Sequence, residues 1–175
     1  MWKHKEVMAF AALFCILLVI ECTGAEVPLA KNGDNVSIKY TAKFDNGTVF
    51  DSSGNNTLTF VIGSKEVVKG VDYAVIGMKK GENKTVTISP EDAYGPHLAE
   101  LTRIENITTL KNAGYSTRIG TKIKVTLNNN TEEGVITQVN NTSALIDFNK
   151  PLAGKTLIFD IILMSINEKS SNSFQ

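Results

Sequence analysis

The chain has few of the side chains on which most enzyme chemistry depends. Both of its cysteines, Cys15 and Cys22, lie within the first 25 residues, and His97 is the one histidine beyond them. A chain that begins near Glu26 therefore has no thiol nucleophile and no disulfide. A serine triad would depend on His97, and no G-x-S-x-G turn accompanies it. One imidazole without Cys-x-x-Cys spacing predicts no metal site, and without a phosphate-binding glycine loop we expect no cofactor.

An excess of charge of one sign is also lacking. The chain has 18 basic and 18 acidic residues among 175, without a long run of either sign, and 42% of its residues are hydrophobic. A balanced charge gives no electrostatic footprint for nucleic acid or for an anionic membrane surface. The composition is that of a folded globular protein, and we expect a monomer.

The first 25 residues have the composition of a secretory signal peptide. Lys3 and Lys5 precede the unbroken apolar run VMAFAALFCILLVI, and the small-residue stretch CTGA follows it. This order is typical of a signal peptide, and cleavage after Ala25 is favoured. The apolar run is shorter than the ~20 residues that a membrane-spanning helix needs. We therefore expect an extracytoplasmic protein, secreted or associated with the cell envelope.

Two alternatives to a cleaved leader stay open. The leader is either retained as an anchor, or a lipid is attached to Cys22. Glu21 is a poor neighbour for a lipidated cysteine, so the lipid is the less favoured of the two. Contact with a membrane is expected only through such an uncleaved or lipidated leader.

The chain after the leader carries many N-x-[ST] sequons. One such motif is weak evidence for a glycan, but together with a leader the set favours a glycosylated protein outside the cytoplasm. The candidate asparagines are Asn35, Asn46, Asn55, Asn83, Asn106, Asn129, Asn140 and Asn141.

Strict alternation of apolar and polar residues predicts strands soon after the leader. NVSIKYTAKF alternates from Val36 to Phe44, and TLTFVIG alternates again up to Gly63. Between them, Asn46 and Gly47 are the residue types of a type I′ hairpin turn, and TVFDSS begins the return strand.

The apolar period then changes to three or four. Val68, Val71, Val75 and Met78 form one stripe, which predicts a short helix within residues 66–78 that crosses the sheet. KTVTIS is a further predicted strand. GKTLIFDIILMSI, near the end of the chain, is nearly continuous in apolar residues and predicts a buried, central strand.

Residues 97–148 form a block with its own pattern. LTRIENI, TKIKVTL, GVITQV and SALIDF read as strands, and TLKNAGY reads as a short helix closed by Gly114. The block is too long for a structureless loop in a compact domain and is near the lower size limit of an independent one. It is therefore predicted to be a small inserted domain. Residues 169–175 are expected to be a flexible tail.

The order of these pieces resembles a known family. YTAKFDNGTVFDSS, GSKEVVKGVDYAVIGMKKGE, TVTISPEDAYG and PLAGKTLIFDIIL resemble the FKBP-type peptidyl-prolyl cis-trans isomerases, and the block at 97–148 is similar to the insert-in-flap domain of the SlyD-like branch. The resemblance implies an α+β fold in which a twisted antiparallel sheet wraps on a short helix, with a mostly-β insert. The isomerase domain would comprise residues 26–96 and 149–168.

The resemblance also implies a proline-binding pocket and its lining. Phe50 and Phe159 would grip the proline ring, and Asp51 would provide a buried dipole near the substrate carbonyl. The Tyr94 hydroxyl and the backbone N–H of Val68 would donate hydrogen bonds to the peptide. The implied catalytic residues are Tyr40, Phe50, Asp51, Tyr94 and Phe159, and the implied substrate-binding residues are Leu58, Val67, Val68 and Val71.

Two departures from the family pattern leave two functions open. Val71 stands where many members have a tryptophan, and Leu58 replaces a pocket aromatic. Either the protein is an isomerase for proline-containing or unfolded polypeptides, with a macrolide as an expected inhibitor, or it is a catalytically weak holdase. The insert is expected to be chaperone-like, and its apolar residues fit an exposed patch or an ordinary small core equally well.

Overall fold

A computed structural model describes residues 26–127 and 130–168 of the protein. The predicted leader, the predicted tail and the sequon at Asn129 lie outside the described residues. Two short 3-10 helices, Pro90–Asp92 and Ala99–Leu101, accompany the longer elements. These are β1 (Asn35–Phe44), β2 (Val49–Ser52), β3 (Leu58–Val61), α1 (Lys69–Val75), β4 (Asn83–Ile88), β5 (Thr102–Asn106), α2 (Ile107–Asn112), β6 (Lys122–Leu127), β7 (Asn130–Val139), β8 (Ser143–Asp147) and β9 (Leu157–Asn167).

Strands β1 to β4 and β9 form one antiparallel sheet in the order β2-β1-β9-β4. β3 pairs with the first half of β1, from Asn35 to Ile38, and β2 pairs with its second half, so β2 and β3 follow one edge of β1 in succession. β9 lies between β1 and β4, as its apolar sequence predicts. Only one face of β9 is buried, because Leu157, Phe159, Ile161 and Leu163 alternate with more exposed residues.

The hairpin between β1 and β2 differs from the predicted type I′ turn. The amide of Gly47 donates to the carbonyl of Phe44 at 2.9 Å, and the amide of Phe44 donates to the carbonyl of Thr48 at 2.9 Å. Gly47 has φ 83, whereas Asn46 is not in the positive-φ region. A single left-handed residue at the third loop position is the three-residue loop with a bulge, which also places glycine after asparagine.

Helix α1 packs across the inner face of the sheet, as the stripe of valines predicts. It comprises Lys69–Val75, within the predicted span of 66–78, because residues 64–67 form bends and Val68 caps the helix in an extended conformation with φ −62 and ψ 143. Val71 and Val75 enter the core with Phe159 and Ile161 of β9. Gly70 permits this approach, since a Cβ there would lie 2.8 Å from Ile88 Cδ1.

Strands β5 to β8 and helix α2 form a second unit within residues 97–148. The sheet order is β5-β8-β7-β6, and the unit has its own core of Leu110, Ile123, Ile136, Ala144 and Ile146. Gly134 is required on β7, because a Cβ there would lie 2.7 Å from Ile146. The apolar residues of the block therefore form an ordinary small core, in addition to those that remain exposed.

The two chain segments that join this unit to the first sheet run side by side. The amide of Gly154 donates to the carbonyl of Gly95 at 2.9 Å, and His97 Nε2 lies 2.8 Å from Asp147 Oδ2. The side-chain amide of Asn149 donates to the carbonyl of Leu98 and accepts from its N–H, both at 2.9 Å. The first and last residues of the block are thus held together.

Candidate functional site: an apolar cavity between helix and sheet

A cavity of about 710 Å³ opens between α1, the inner face of the sheet and the segment that follows β4. Its size is within the range of small-molecule and peptide pockets. All nine residues implied by the family resemblance line it: Tyr40, Phe50, Asp51, Leu58, Val67, Val68, Val71, Tyr94 and Phe159. The structure therefore brings together side chains from β1, β2, β3, β9, α1 and two loops. Their catalytic roles remain predictions.

The deepest lining residues are apolar and belong to the core at the same time. Val71 is 3% exposed and Phe159 is 8% exposed. The rings of Tyr40 and Phe159 lie 6.0 Å apart between centroids, and Phe44 supports Phe50 with a centroid distance of 4.7 Å. Aromatic pairs at these distances attract each other beyond their buried area. The aromatic walls are therefore fixed by the sheet.

Asp51 holds a defined position but is not buried. Its carboxylate accepts a hydrogen bond from the Tyr40 hydroxyl at 2.8 Å, across the β1–β2 pairing. The side chain is exposed, so the expectation of a buried Asp51 dipole is wrong for this structure. β2 lies at the edge of the sheet, where its outer side faces solvent. What the pair does is fix the orientation of the Tyr40 ring in the cavity wall.

Burial of the phenol, with the hydrogen bond to Asp51 as the next cause, raises the pKa of Tyr40 to about 12. Since an unfolded tyrosine titrates near 10, the native state binds this proton more tightly than the unfolded state. The resulting stability is present below about pH 10 and is lost as the pH rises toward 12.

A phenolate absorbance titration of the protein should therefore show an ionisation near pH 12. In Asp51→Asn the pKa of Tyr40 should fall part of the way back, because burial, its largest cause, is unchanged. Asp45→Asn, at the exposed tip of the hairpin, is the matched control and should leave the titration as it is. A titration of the wild type that shows no ionisation well above pH 10 would contradict the raised pKa of Tyr40.

Several hydrogen-bond donors of the cavity have no partner within residues 26–127 and 130–168. Among them are the hydroxyl of Tyr94, which is 39% exposed, and the backbone N–H of Val68, which precedes the first turn of α1. The Val68 carbonyl, by contrast, accepts from the amide of Val71 at 2.9 Å. The cavity thus combines apolar walls with such donors, an arrangement that can bind the carbonyl groups of a peptide.

For the isomerase activity that the family resemblance implies, Tyr94→Phe is expected to lower kcat/KM for a short X-Pro peptide about twofold to tenfold, the value of one hydrogen bond. Stability should not change, because the hydroxyl has no partner in the described part of the chain. The matched control is Tyr115→Phe, which removes a hydroxyl that donates to the Lys124 carbonyl at 2.9 Å, outside the cavity. An unchanged rate in Tyr94→Phe would show that this hydroxyl does not donate to the substrate.

Several lining residues were not predicted from the sequence. Lys65 has φ 67 and is the non-glycine residue with positive φ in the part of the chain that the structure describes. This conformation is uncommon for lysine and is often found at binding sites. Its position just after Gly63 and Ser64, residue types typical of turns, was the available sequence signal for this backbone conformation. The other lining residues that were missed are Ile38, Gly63, Glu66, Lys69, Asp72, Tyr73 and Ala93.

Charged groups in the lining are distributed without a metal-binding cluster. Lys69 Nζ pairs with Asp92 Oδ1 at 2.8 Å, and buried Asp72 accepts a hydrogen bond from the amide of Gly63 at 3.0 Å. Among the described residues, no three His, Cys, Asp or Glu side chains lie close enough together to hold a metal ion.

In the same residues, no helix is long and apolar enough to cross a membrane.

Comparison with known proteins identifies the class to which this fold and cavity belong. A family profile described as FKBP-type peptidyl-prolyl cis-trans isomerase matches residues 27–164. The chain is 32% identical over 135 residues to the FKBP-type 16 kDa peptidyl-prolyl cis-trans isomerase of Escherichia coli K12, which covers 75% of this chain and 90% of that protein.

Two further relatives extend the comparison. The chain is 30% identical over 138 residues to the FKBP-type peptidyl-prolyl cis-trans isomerase SlyD of Treponema pallidum, covering 78% of each chain. It is 31% identical over 163 residues to the Short-type peptidyl-prolyl cis-trans isomerase of Methanocaldococcus jannaschii, covering 83% of this chain and 99% of that protein.

The fold and the site therefore define a peptidyl-prolyl cis-trans isomerase, an enzyme that accelerates rotation about X-Pro bonds. The chain belongs to the FKBP-type family, and within that family it is SlyD-like.

Proposed function

We propose that this isomerase acts on exported or envelope proteins outside the cytoplasm and that its insert captures unfolded polypeptides for the cavity. The observation that carries the catalytic part is the cavity itself, which combines an aromatic and aliphatic lining with the donors of Val68 and Tyr94, unpartnered within the described residues. The leader pattern of residues 1–25 supports the location.

The chemistry proposed for the cavity needs no nucleophile. Rotation about an X-Pro bond breaks no bond, and its barrier of roughly 18–20 kcal/mol comes from amide resonance. An apolar cavity disfavours the charge-separated planar amide relative to the twisted one, and fixed donors then select the twisted geometry. We assign the grip on the proline ring to Phe50 and Phe159, with Val71 beneath it.

The peptide on either side of the proline would be bound by donors. We assign this role to the N–H of Val68 and the hydroxyl of Tyr94. A 10⁴-fold acceleration would need only about 5.5 kcal/mol of preferential binding to the twisted amide, which a few such contacts can supply.

Capture by the insert is supported by its exposed apolar side chains. Ile104 on β5 is 74% exposed and Ile119 is 69% exposed, and neither belongs to the core of the insert. Since the insert has a complete core of its own, these side chains are available to an unfolded chain. β5 is moreover an edge strand, whose outer backbone groups can pair with an extended segment.

Glycosylation outside the cytoplasm is supported by the exposure of the sequons. All candidate asparagines in the described residues are exposed, and some sit in turns. In one such turn, Asn46 Oδ1 accepts from the amide of Thr48 at 2.9 Å, and the side-chain nitrogen, to which a glycan would be attached, has no hydrogen-bond partner within the described residues.

A catalytically weak holdase is the second candidate. It is favoured by the small Val71 at the cavity floor and by Leu58, which is half exposed at the rim rather than forming an aromatic wall. In that case the insert would perform the main function and the cavity would bind prolyl segments without much acceleration.

Isomerisation of a short X-Pro peptide separates the two candidates. The isomerase should raise the rate about 10³-fold or more at saturating enzyme, whereas a holdase would give little change while still preventing aggregation of an unfolded protein.

The mass of the protein purified from its own cells tests the proposed location outside the cytoplasm. A chain that retains residues 1–25 and carries no glycan would contradict export with cleavage and glycosylation.

A further inference from the structure

The rim of the cavity carries an exposed aromatic residue to which neither the core nor the proposed peptide contacts give a role. Tyr73 lies on α1, lines the cavity and is 59% exposed. The opposite face of the same helix is buried through Val71 and Val75, and Tyr73 is not part of that core cluster. Its ring therefore contributes little to the packing of the helix.

The ring of Tyr73 is nevertheless held in place. Lys69, one turn earlier on α1, places Nζ 5.3 Å from the centroid of the ring. The same ammonium is bound by Asp92 Oδ1 at 2.8 Å, and this contact raises the pKa of Lys69. Asp92, Lys69 and Tyr73 form a rim array that joins α1 to the segment leading to Tyr94. A held aromatic ring loses less entropy when it binds a ligand than a mobile one.

The charge within the rim array argues against an ion as its ligand. Because the Lys69 ammonium already has a carboxylate partner, it offers little attraction to a second anion. Other charges of the lining have both signs, with Lys65 beside Glu66. What the array offers in excess is aromatic surface.

We propose that Tyr73 is a specificity-determining residue that forms an outer subsite for an aromatic side chain of the substrate, close to the isomerised proline. The subsite is continuous with the cavity. Val68, whose N–H would bind the peptide, lies about 7.5 Å along the helix axis from Tyr73. An extended peptide covers that distance in about two residues, so the bound side chain belongs to a residue about two positions from the proline. This inference rests on the proposed placement of the proline in the cavity.

The test compares kcat/KM of the full chain on matched peptides that contain one proline. One peptide has alanine at the two positions on each side of the proline, and four others each have one of these alanines replaced by phenylalanine. The wild type should prefer one of the two peptides with phenylalanine two positions from the proline over the alanine peptide, about threefold to tenfold. In Tyr73→Ser this ratio should fall to near one, and in Tyr73→Phe it should be retained.

Ile76→Ser is the matched control, since it removes an exposed apolar side chain at the end of the same helix that does not line the cavity. The ratio of kcat/KM on the preferred phenylalanine peptide to that on the alanine peptide should be the same in Ile76→Ser as in the wild type. Equal losses on all five peptides in Tyr73→Ser would mean that the residue is only structural, and an unchanged ratio would mean that the subsite lies elsewhere. Either result overturns the proposal. If no peptide is isomerised, the placement of the proline is wrong, and the subsite falls with it.

Discussion

Phe159→Ala is expected to lower kcat/KM for short X-Pro peptides at least about tenfold, since it removes the largest buried ring from the cavity floor. The same side chain packs in the core, with 8% of its surface exposed. Truncation of a buried phenylalanine typically costs about 3–5 kcal/mol in the free energy of unfolding. Activity should therefore be measured at a temperature where circular dichroism shows the variant to be folded.

Two controls separate the loss of the binding surface from the loss of stability. Phe159→Leu keeps most of the apolar volume, so its free energy of unfolding should stay close to that of the wild type. Its kcat/KM should still fall, because a flat ring in the cavity is replaced by a branched chain. Phe148→Ala removes a ring that packs in the core of the insert, away from the cavity. It should lower stability while the rate on short peptides stays close to that of the wild type. Equal activity in Phe159→Ala and Phe148→Ala would remove Phe159 from the proposed site.

The aromatic and aliphatic walls of the cavity could be predicted because they come from regular elements. β1 has the bounds that its alternation predicts, and Phe159 follows from the apolar sequence of β9. The alternation fixes which residues share a face, and a shared face leads directly to a shared core. Of the nine lining residues implied by the family resemblance, those on strands and on α1 come together for the same reason, whereas Val67, Val68 and Tyr94 lie on loops.

The rim of the cavity could not be predicted in this way, because its residues depend on local backbone geometry. The positive φ of Lys65 and the extended backbone of Val68 lie just before α1, which begins at Lys69 rather than at residue 66. Tyr73 on an exposed helical face has the same sequence pattern as an ordinary solvent-facing residue. An Asn-Gly pair likewise fits two hairpin geometries, and the register of Thr48 decided between them.

The relation between the insert and the cavity leads to the prediction with the largest expected effect. None of the residues that line the cavity lies between His97 and Phe148. The chain on either side of this block is already connected, since the amide of Gly154 donates to the carbonyl of Gly95 at 2.9 Å. β4 and β9 pair with each other directly and need no contact from the insert. We therefore expect residues 97–148 to be replaceable by a short Gly/Ser flap.

The shortened chain should fold and keep most of its activity on short X-Pro peptides, because the cavity walls are intact. Catalysed refolding of a whole protein limited by proline isomerisation should fall much further, by about 10²-fold. The reason is that capture by the insert raises the effective concentration of the unfolded chain near the cavity, and millimolar effective concentrations can raise the apparent affinity by this factor. The two rates should be measured side by side on the full and shortened chains.

A full-length variant provides the matched comparison for the deletion. Ile136 is fully buried in the core of the insert, and Ile136→Asp places an unpaired carboxylate there, which should unfold the insert while the first sheet stays folded. If capture requires a folded insert, this variant should lose refolding activity as the deletion does and keep its rate on short peptides. Equal losses of both activities would show that the insert and the cavity are one functional unit, and a shortened chain that does not fold would show that the boundaries at 97 and 148 are wrong.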